Sequence, residues 1–168
     1  MITIVNEDWN VNVMRVFPQL KAENLNREMI EIPSQLRGEI NIVMVAFQQW
    51  QQGLVDSWVP FLESLIEIHE NMDYYELPTI RKMNVLYRRF IDGGMRAGIQ
   101  SRGTRERTIT LYIDKDPFKE ALDIVTEETI YVYLIDREGK ILWETQGGLS
   151  EEKAESLETA LGDILGTK

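Results

Sequence analysis

Eight consecutive residues, Ile40 to Phe47, are nearly all apolar and largely β-branched. A short run of this kind is typical of a central β-strand that is covered on both faces. The residues that follow, from Gly53 to Asn71, predict an amphipathic helix, which Pro60 is expected to kink. The apolar face of this helix is formed by Val55, Trp58, Val59, Leu62, Leu65 and Ile66. A covered strand followed by an amphipathic helix indicates an α/β fold built in layers.

The rest of the chain alternates strand signals with helix signals. Further strands are predicted at Glu28–Ile32, Tyr74–Pro78, Thr108–Ile113 and Ile130–Ile135, and further helices are predicted from Asn84 to between Phe90 and Gly98, from Asp116, and from Ser150 to Leu165. The last strand turns at Gly139 into Lys140–Glu144 as a β-hairpin. We expect one domain over residues 1–168, with 1–35 as an N-terminal extension that contains strands and 81–107 as a helical, basic insertion.

The chain contains no cysteine and a single histidine, His69. The 168 residues therefore cannot supply a thiolate nucleophile, a CxxC redox pair, a disulfide or a cysteine-ligated metal centre. A histidine-rich metal site is excluded by the same count. We predict no catalytic residue, no metal site and no cofactor.

No apolar run approaches the ~18 residues that a membrane-spanning helix needs. The first residues carry neither the basic region nor the apolar core of a secretory signal, and no mitochondrial transit segment is visible. We therefore expect a cytoplasmic protein.

The charge of the chain is distributed unevenly. The net charge is −10, which argues against general nucleic-acid binding. Between Arg81 and Arg107, however, eight basic residues face two acidic ones, so that this stretch carries +6 and the remainder −16. The basic-patch candidates are Arg81, Arg88, Arg89, Arg96, Arg102, Arg105 and Arg107, with the last three in a loop that leads to a strand. Such a patch suits an acidic partner or an anionic surface. The simpler interpretation is that these arginines pair with acidic residues of the same chain.

The spacing around the first helix resembles that of thioredoxin-like proteins. In that fold a strand ends in Phe, the two active-site cysteines follow five and eight residues later, and a helix-kinking Pro comes five residues after the second cysteine. Phe47, Gln52, Val55 and Pro60 occupy those places, and Gly53 matches the Gly of the common Cys-Gly-Pro-Cys motif. The resemblance implies a three-layer sandwich with a mixed central sheet, a closing β-hairpin and a C-terminal helix.

A second part of the redox site is also replaced. Redox-active thioredoxin-like proteins place a cis-proline just before the last pair of strands, where this chain has Thr129 or Ile130. Because a cis peptide at a non-proline residue costs ~3 kcal/mol, we expect trans geometry there.

A narrower resemblance involves the end of the chain. The segment Tyr131–Asp136, followed by Gly139, Ile141, Trp143, Gly147 and Glu152, is similar to the C-terminal motif of the mitochondrial ATP synthase assembly factors that chaperone ATPase subunit six. That family usually has Arg where this chain has Leu142, and its extended helical segment matches Asn84–Gly98. The resemblance covers about residues 36–160, and it implies a protein-binding, non-redox role.

The vacated redox corner is the first candidate site. Its candidate residues are Gln49, Trp50, Gln51, Gln52, Gly53, Thr129 and Ile130. In open α/β sheets, ligands bind beyond the carboxyl ends of the strands, and a loop tryptophan is a typical binding anchor. The alternative is a loop whose glutamines are merely solvated.

Three functions follow from these observations. The first is a redox-inactive assembly or chaperone-type module with a protein partner. The second is an enzyme or small-ligand binder that uses the same corner without thiols. The third is a structural or oligomerising domain.

Overall fold

A computed structural model describes residues 15–81 and 102–166. The strands are β1 (Leu20–Glu23), β2 (Met29–Ile32), β3 (Ile40–Ala46), β4 (Met72–Arg81), β5 (Leu111–Ile113), β6 (Tyr131–Asp136) and β7 (Ile141–Gln146). The helices are α1 (Gln52–Ile68), α2 (Arg102–Arg107), α3 (Lys115–Leu122) and α4 (Glu151–Leu165), and a 3-10 turn (Gln49–Gln51) leads into α1. The helix predicted from Asn84, together with Arg88, Arg89 and Arg96, lies outside the described residues.

The strands form a hairpin, β1-β2, and a five-stranded sheet in the order β5-β4-β3-β6-β7. β3, β4 and β5 run parallel to one another, whereas β6 pairs antiparallel with β3, and β7 antiparallel with β6. The predictions of a covered central strand and of an antiparallel closing hairpin are confirmed, with Gly139 at a φ of +92° in the turn.

Strand β3 supplies both sides of the molecule with core residues. Ile42 and Met44 face one hydrophobic cluster, and the alternate residues Val43 and Val45 face the other. All four are fully buried. The alternation follows from the two-residue period of a strand, and it explains why this run contains so few polar residues.

Helices α1 and α4 cover one face of the sheet. The buried residues of α1 recur at helical spacing (Val55, Trp58, Leu62 and Leu65), and Leu157 and Leu161 of α4 join the same cluster. Ser150 caps α4 by accepting a hydrogen bond from the backbone N–H of Lys153, and Gly166 ends the helix at a φ of 63°, both as predicted. Helix α3 and the β1-β2 hairpin pack on the opposite face, where Phe17 contacts Phe118 and Tyr133 edge to face.

Three local predictions are wrong in detail. The short strand predicted at Tyr74–Pro78 is the ten-residue β4, because its first residues pair with β3 and its last residues pair with β5. The strand predicted at Thr108–Ile113 is reduced to β5, since Thr108 and Ile109 form only isolated bridges. Arg102, Arg105 and Arg107 belong to the short helix α2 and not to a loop.

Helix α2 is attached to the sheet through the buried carboxylate of Asp73. One oxygen accepts from Arg107 Nη2 and Nε at 2.9 and 3.2 Å, and the other accepts from Arg37 Nη1 at 3.3 Å. The Arg107 guanidinium also lies 4.7 Å from the centre of the Tyr74 ring. Because the Asp73 side chain is only 5% exposed, this ion pair is only weakly screened by solvent.

We expect Asp73→Asn to lower the free energy of unfolding by about 2–3 kcal/mol. This loss is smaller than that for a fully buried ion pair, because the Arg37 side chain is largely exposed. Urea denaturation followed by circular dichroism measures this. Asp163→Asn, at an exposed position of α4, is the control and should stay within about 0.5 kcal/mol of the unaltered chain. Equal stability of the two variants would show that the Asp73 ion pair does not hold α2.

Candidate functional site

The predicted corner lies where β3 ends. After Ala46, the chain passes through Phe47 and Gln48 into the 3-10 turn and then into α1. The segment 126–130, which precedes β6, meets this turn through hydrogen bonds to the glutamines. The two halves of the corner predicted from spacing are therefore adjacent. The peptide bond between Thr129 and Ile130 is trans, as predicted.

The side chain of Gln51 connects the parts of the corner through hydrogen bonds. This side chain is fully buried, and its Oε1 accepts hydrogen bonds from the backbone N–H groups of Phe47 and Gln48 at 2.8 and 3.2 Å. Its Nε2 donates to the backbone carbonyl of Glu127 at 2.8 Å. One amide thus ties the end of β3, the start of the turn and the segment before β6 together.

Gln48 reinforces the same contact from the surface. Its Nε2 donates to the Glu127 carbonyl at 3.0 Å and to the Glu128 carboxylate at 3.3 Å. The contacts of Gln48 and Gln51 with the carbonyl of Glu127 are referred to below as the glutamine joint. Because the buried amide of Gln51 is already satisfied within the chain, it is not available to a bound peptide.

The Glu127 side chain is held separately. Its carboxylate accepts from Lys115 Nζ at 3.0 Å and from Lys119 Nζ at 2.9 Å. Burial raises the pKa of Glu127, but the hydrogen bonds and positive charges of the two lysines outweigh it and leave the pKa below its usual value. Glu127 therefore stays ionised at neutral pH and secures its segment to α3.

The remaining candidates differ in accessibility. Trp50 is 57% exposed and belongs to neither core cluster, whereas Trp58 is fully buried, as predicted. Gln49, Gln52 and Gly53 are exposed and Thr129 is partly buried. Gln51 and Ile130 are fully buried, so a partner cannot touch them while the corner keeps this conformation. The accessible part of the corner is centred on Trp50.

Gln52, at the place of the first redox cysteine, contacts two carboxylates. Its Nε2 donates to Asp56 Oδ1 at 2.9 Å and lies 3.4 Å from Glu76 Oε1. Glu76 is half-buried in the middle of β4. Burial raises the pKa of Glu76, the hydrogen bond from Gln52 lowers it and the charge of Asp56 raises it further, so that the pKa lies above its usual value.

Sequence reasoning did not identify Glu76, Glu127 or Glu128 as parts of the corner. Glu127 stands 76 positions after Gln51 in the chain, and nothing in its neighbourhood distinguishes it from a solvated loop acid. The redoxin spacing, which located Thr129 and Ile130, was the only available signal for this segment.

The basic patch is described only in part. Arg81 is exposed at the end of β4, Arg105 Nε donates to Asn26 Oδ1 at 2.9 Å, and Arg107 pairs with Asp73. The last two arginines thus have partners within the chain, a neutral amide for Arg105 and an acid for Arg107. Within residues 15–81 and 102–166, no cluster of three acidic or histidine side chains is arranged to hold a metal ion.

We expect Gln51→Leu to lower the free energy of unfolding by about 2–4 kcal/mol, because it removes the acceptor of the Phe47 and Gln48 backbone N–H groups and one of the two donors to the Glu127 carbonyl. Gln49→Leu, two positions away and exposed, is the matched control and should change stability by less than about 0.5 kcal/mol. Chemical denaturation of both variants measures the difference. A Gln51→Leu variant as stable as Gln49→Leu would show that the joint does not hold the corner.

Glu76 gives stability a defined pH dependence. The pKa of Glu76 is higher in the folded chain than in the unfolded chain. At pH values between these two pKa values, the folded state binds more protons than the unfolded state. The contribution of Glu76 to the free energy of unfolding therefore falls as the pH rises through this range. Glu76→Gln removes this loss. Unfolding from mildly acidic to neutral pH should therefore show the variant gaining stability relative to the unaltered chain as pH rises, and a constant difference would contradict the assignment.

Comparison with solved structures shows the fold. The thioredoxin domain of a thiol-disulfide oxidoreductase from Bacteroides vulgatus aligns with a TM-score of 0.53 at 14% identity, covering 88% of this chain and 96% of that one. A thiol-disulfide oxidoreductase from Bacteroides fragilis aligns with a TM-score of 0.55 at 11% identity, with 86% and 98% covered. BsSco, a member of the Sco family of cytochrome c oxidase assembly proteins, aligns with a TM-score of 0.57 at 11% identity, with 88% and 94% covered.

These similarities confirm the thioredoxin-like three-layer sandwich. No curated protein matches the chain. In the described parts of the chain, no helix has the length and apolar character to cross a bilayer.

A family model described as ATP10 protein matches residues 6–164, which is nearly the whole sequence. The chain therefore belongs to the ATP10 protein family.

Proposed function

We propose that this chain is an assembly or chaperone-type module that binds another polypeptide and performs no thiol chemistry. Membership of the ATP10 protein family supports an assembly role, and the resemblance of its C-terminal motif to ATP synthase assembly factors suggests a subunit of that enzyme as the client. The proposal concerns binding, and it requires neither a cofactor nor a catalytic residue.

The glutamine joint is the observation that carries this proposal. Glutamine and valine stand where the thioredoxin-like fold places its two thiols, and none of the 168 residues is a cysteine. The joint connects the turn to the segment before β6 through hydrogen bonds. Because the buried amide of Gln51 is engaged with the backbone of the chain itself, the corner offers a partner its outer surface, on which Trp50 is exposed.

Trp50 is the residue best suited to anchor a partner on that surface. Tryptophan is enriched among the few residues that dominate binding energy at protein interfaces, and its exposed ring makes no contribution to either core. The turn that carries it is held by Gln51, so little conformational entropy is lost when the ring is buried.

The place of action is also a proposal. A role in ATP synthase assembly places the chain beside a membrane enzyme, whereas the cytoplasmic location expected from the sequence remains a prediction. The arginine stretch 81–107 is the part of the chain with the charge to approach an anionic surface during such work.

Complementation in the native host tests the function. Removing the gene should lower the amount of assembled ATP synthase on native gels, and the unaltered chain should restore it. We expect Trp50→Ala to weaken client binding by about tenfold or more and so to restore the enzyme poorly.

Ile68→Ala provides the matched control, because Ile68 is also an exposed apolar residue, at 70%, but lies at the far end of α1. It should restore assembly fully. Normal ATP synthase levels without the gene would refute the assembly role, and full restoration by Trp50→Ala would refute the placement of the client on Trp50.

A further inference from the structure

Two exposed apolar side chains flank the glutamine joint. Trp50 lies two residues after Gln48, and Val125, which is 92% exposed, lies two residues before Glu127. The hydrogen bond of 3.0 Å between Gln48 Nε2 and the Glu127 carbonyl brings these two segments together. Exposed large apolar residues on adjacent segments are typical of an interaction surface.

Three carboxylates contact the glutamines on either side of the 3-10 turn. Gln48 donates to Glu128 at 3.3 Å, and Gln52 donates to Asp56 at 2.9 Å and to Glu76 at 3.4 Å, so each of the three acids contacts a residue two positions from Trp50 in the chain. We name Trp50, Val125, Asp56, Glu76 and Glu128 the Trp50 rim.

The acids of the rim have no ion-pair partner among the described residues. Within residues 15–81 and 102–166, Asp56, Glu76 and Glu128 form no ion pair with a lysine or arginine, whereas the nearby Glu127 is shared by two lysines. In this part of the chain the rim therefore combines an exposed aromatic ring with three carboxylates that no ion pair offsets. An indole face attracts cations, and so do the carboxylates around it.

We propose that the Trp50 rim binds a polypeptide segment in which an apolar side chain is flanked by lysine or arginine. This inference rests on the proposed protein-binding function and specifies the chemistry of the partner. The apolar side chain packs on Trp50 and Val125, and the flanking cations face the three carboxylates. Acidic partners and nucleic acids are disfavoured by the same charges.

Two fluorescein-labelled peptides test the charge requirement directly. One alternates leucine with lysine, and the other has glutamate in place of every lysine. Fluorescence anisotropy with the full chain should show saturable binding of the lysine peptide, weaker at high salt, and no binding of the glutamate peptide. Equal binding of both peptides would overturn the proposal.

Variants separate the rim from the general negative charge of the chain. Trp50→Ala and the double variant Asp56→Asn/Glu128→Gln should each weaken binding of the lysine peptide by about fivefold or more. The double variant Glu155→Gln/Glu158→Gln removes two exposed charges from α4 and should change it less than about twofold. Equal effects of the two double variants, or no effect of Trp50→Ala, would show that the peptide binds only through net charge.

A photo-crosslinking amino acid is placed at position 49 of the chain in the native host, and at position 158 as the control. The crosslinked partner segments then distinguish this inference from the proposed function. A crosslinked segment that contains an apolar residue between lysines or arginines supports the inference. A crosslinked segment that is acidic or uncharged overturns the partner chemistry but preserves the binding function. No crosslink at position 49 above the level at position 158 counts against the proposed function itself.

Discussion

The buried amide of Gln51 holds the corner of this molecule together. It accepts from two successive backbone N–H groups at the end of β3 and donates to a carbonyl on the segment before β6. A buried side chain with contacts to three backbone groups is costly to replace, because the two N–H groups would lose their acceptor and the Glu127 carbonyl would keep only Gln48. Gln51 thereby connects the end of β3, the turn that carries Trp50 and the segment before β6.

The periodicity of the sequence was sufficient to predict most of the central sheet and its helices. Strand β3 and helix α1 follow from their apolar patterns, and the hairpin follows from two apolar runs on either side of Gly139. Strand β1 and the shortening of β5 did not follow, since the bounds of these two strands are defined by pairing with β2 and β4. For the site, spacing located both halves of the corner, but the burial of Gln51 depends on a carbonyl 76 residues away that no local pattern reveals.

This member of the ATP10 protein family keeps the scaffold of thioredoxin-like proteins while replacing both parts of their thiol site. Gln52 and Val55 stand in the positions of the cysteines, and a trans peptide before Ile130 stands in the position of the cis-proline. These replacements are consistent with one another, because each removes one part of the thiol site, and the glutamine joint links the two segments on which those parts would stand. The fold is thus preserved by packing that has nothing to do with redox chemistry.

Strand β3 also limits how the chain can vary in length. Its alternate residues feed the two cores, with Ile42 and Met44 on one side and Val43 and Val45 on the other. Losing or gaining one residue here would exchange the two sets and send differently shaped side chains into both layers at once. The same shift would move Gln48 and Gln51 relative to Glu127, so that a single deletion in the middle of the sheet would disturb the glutamine joint as well.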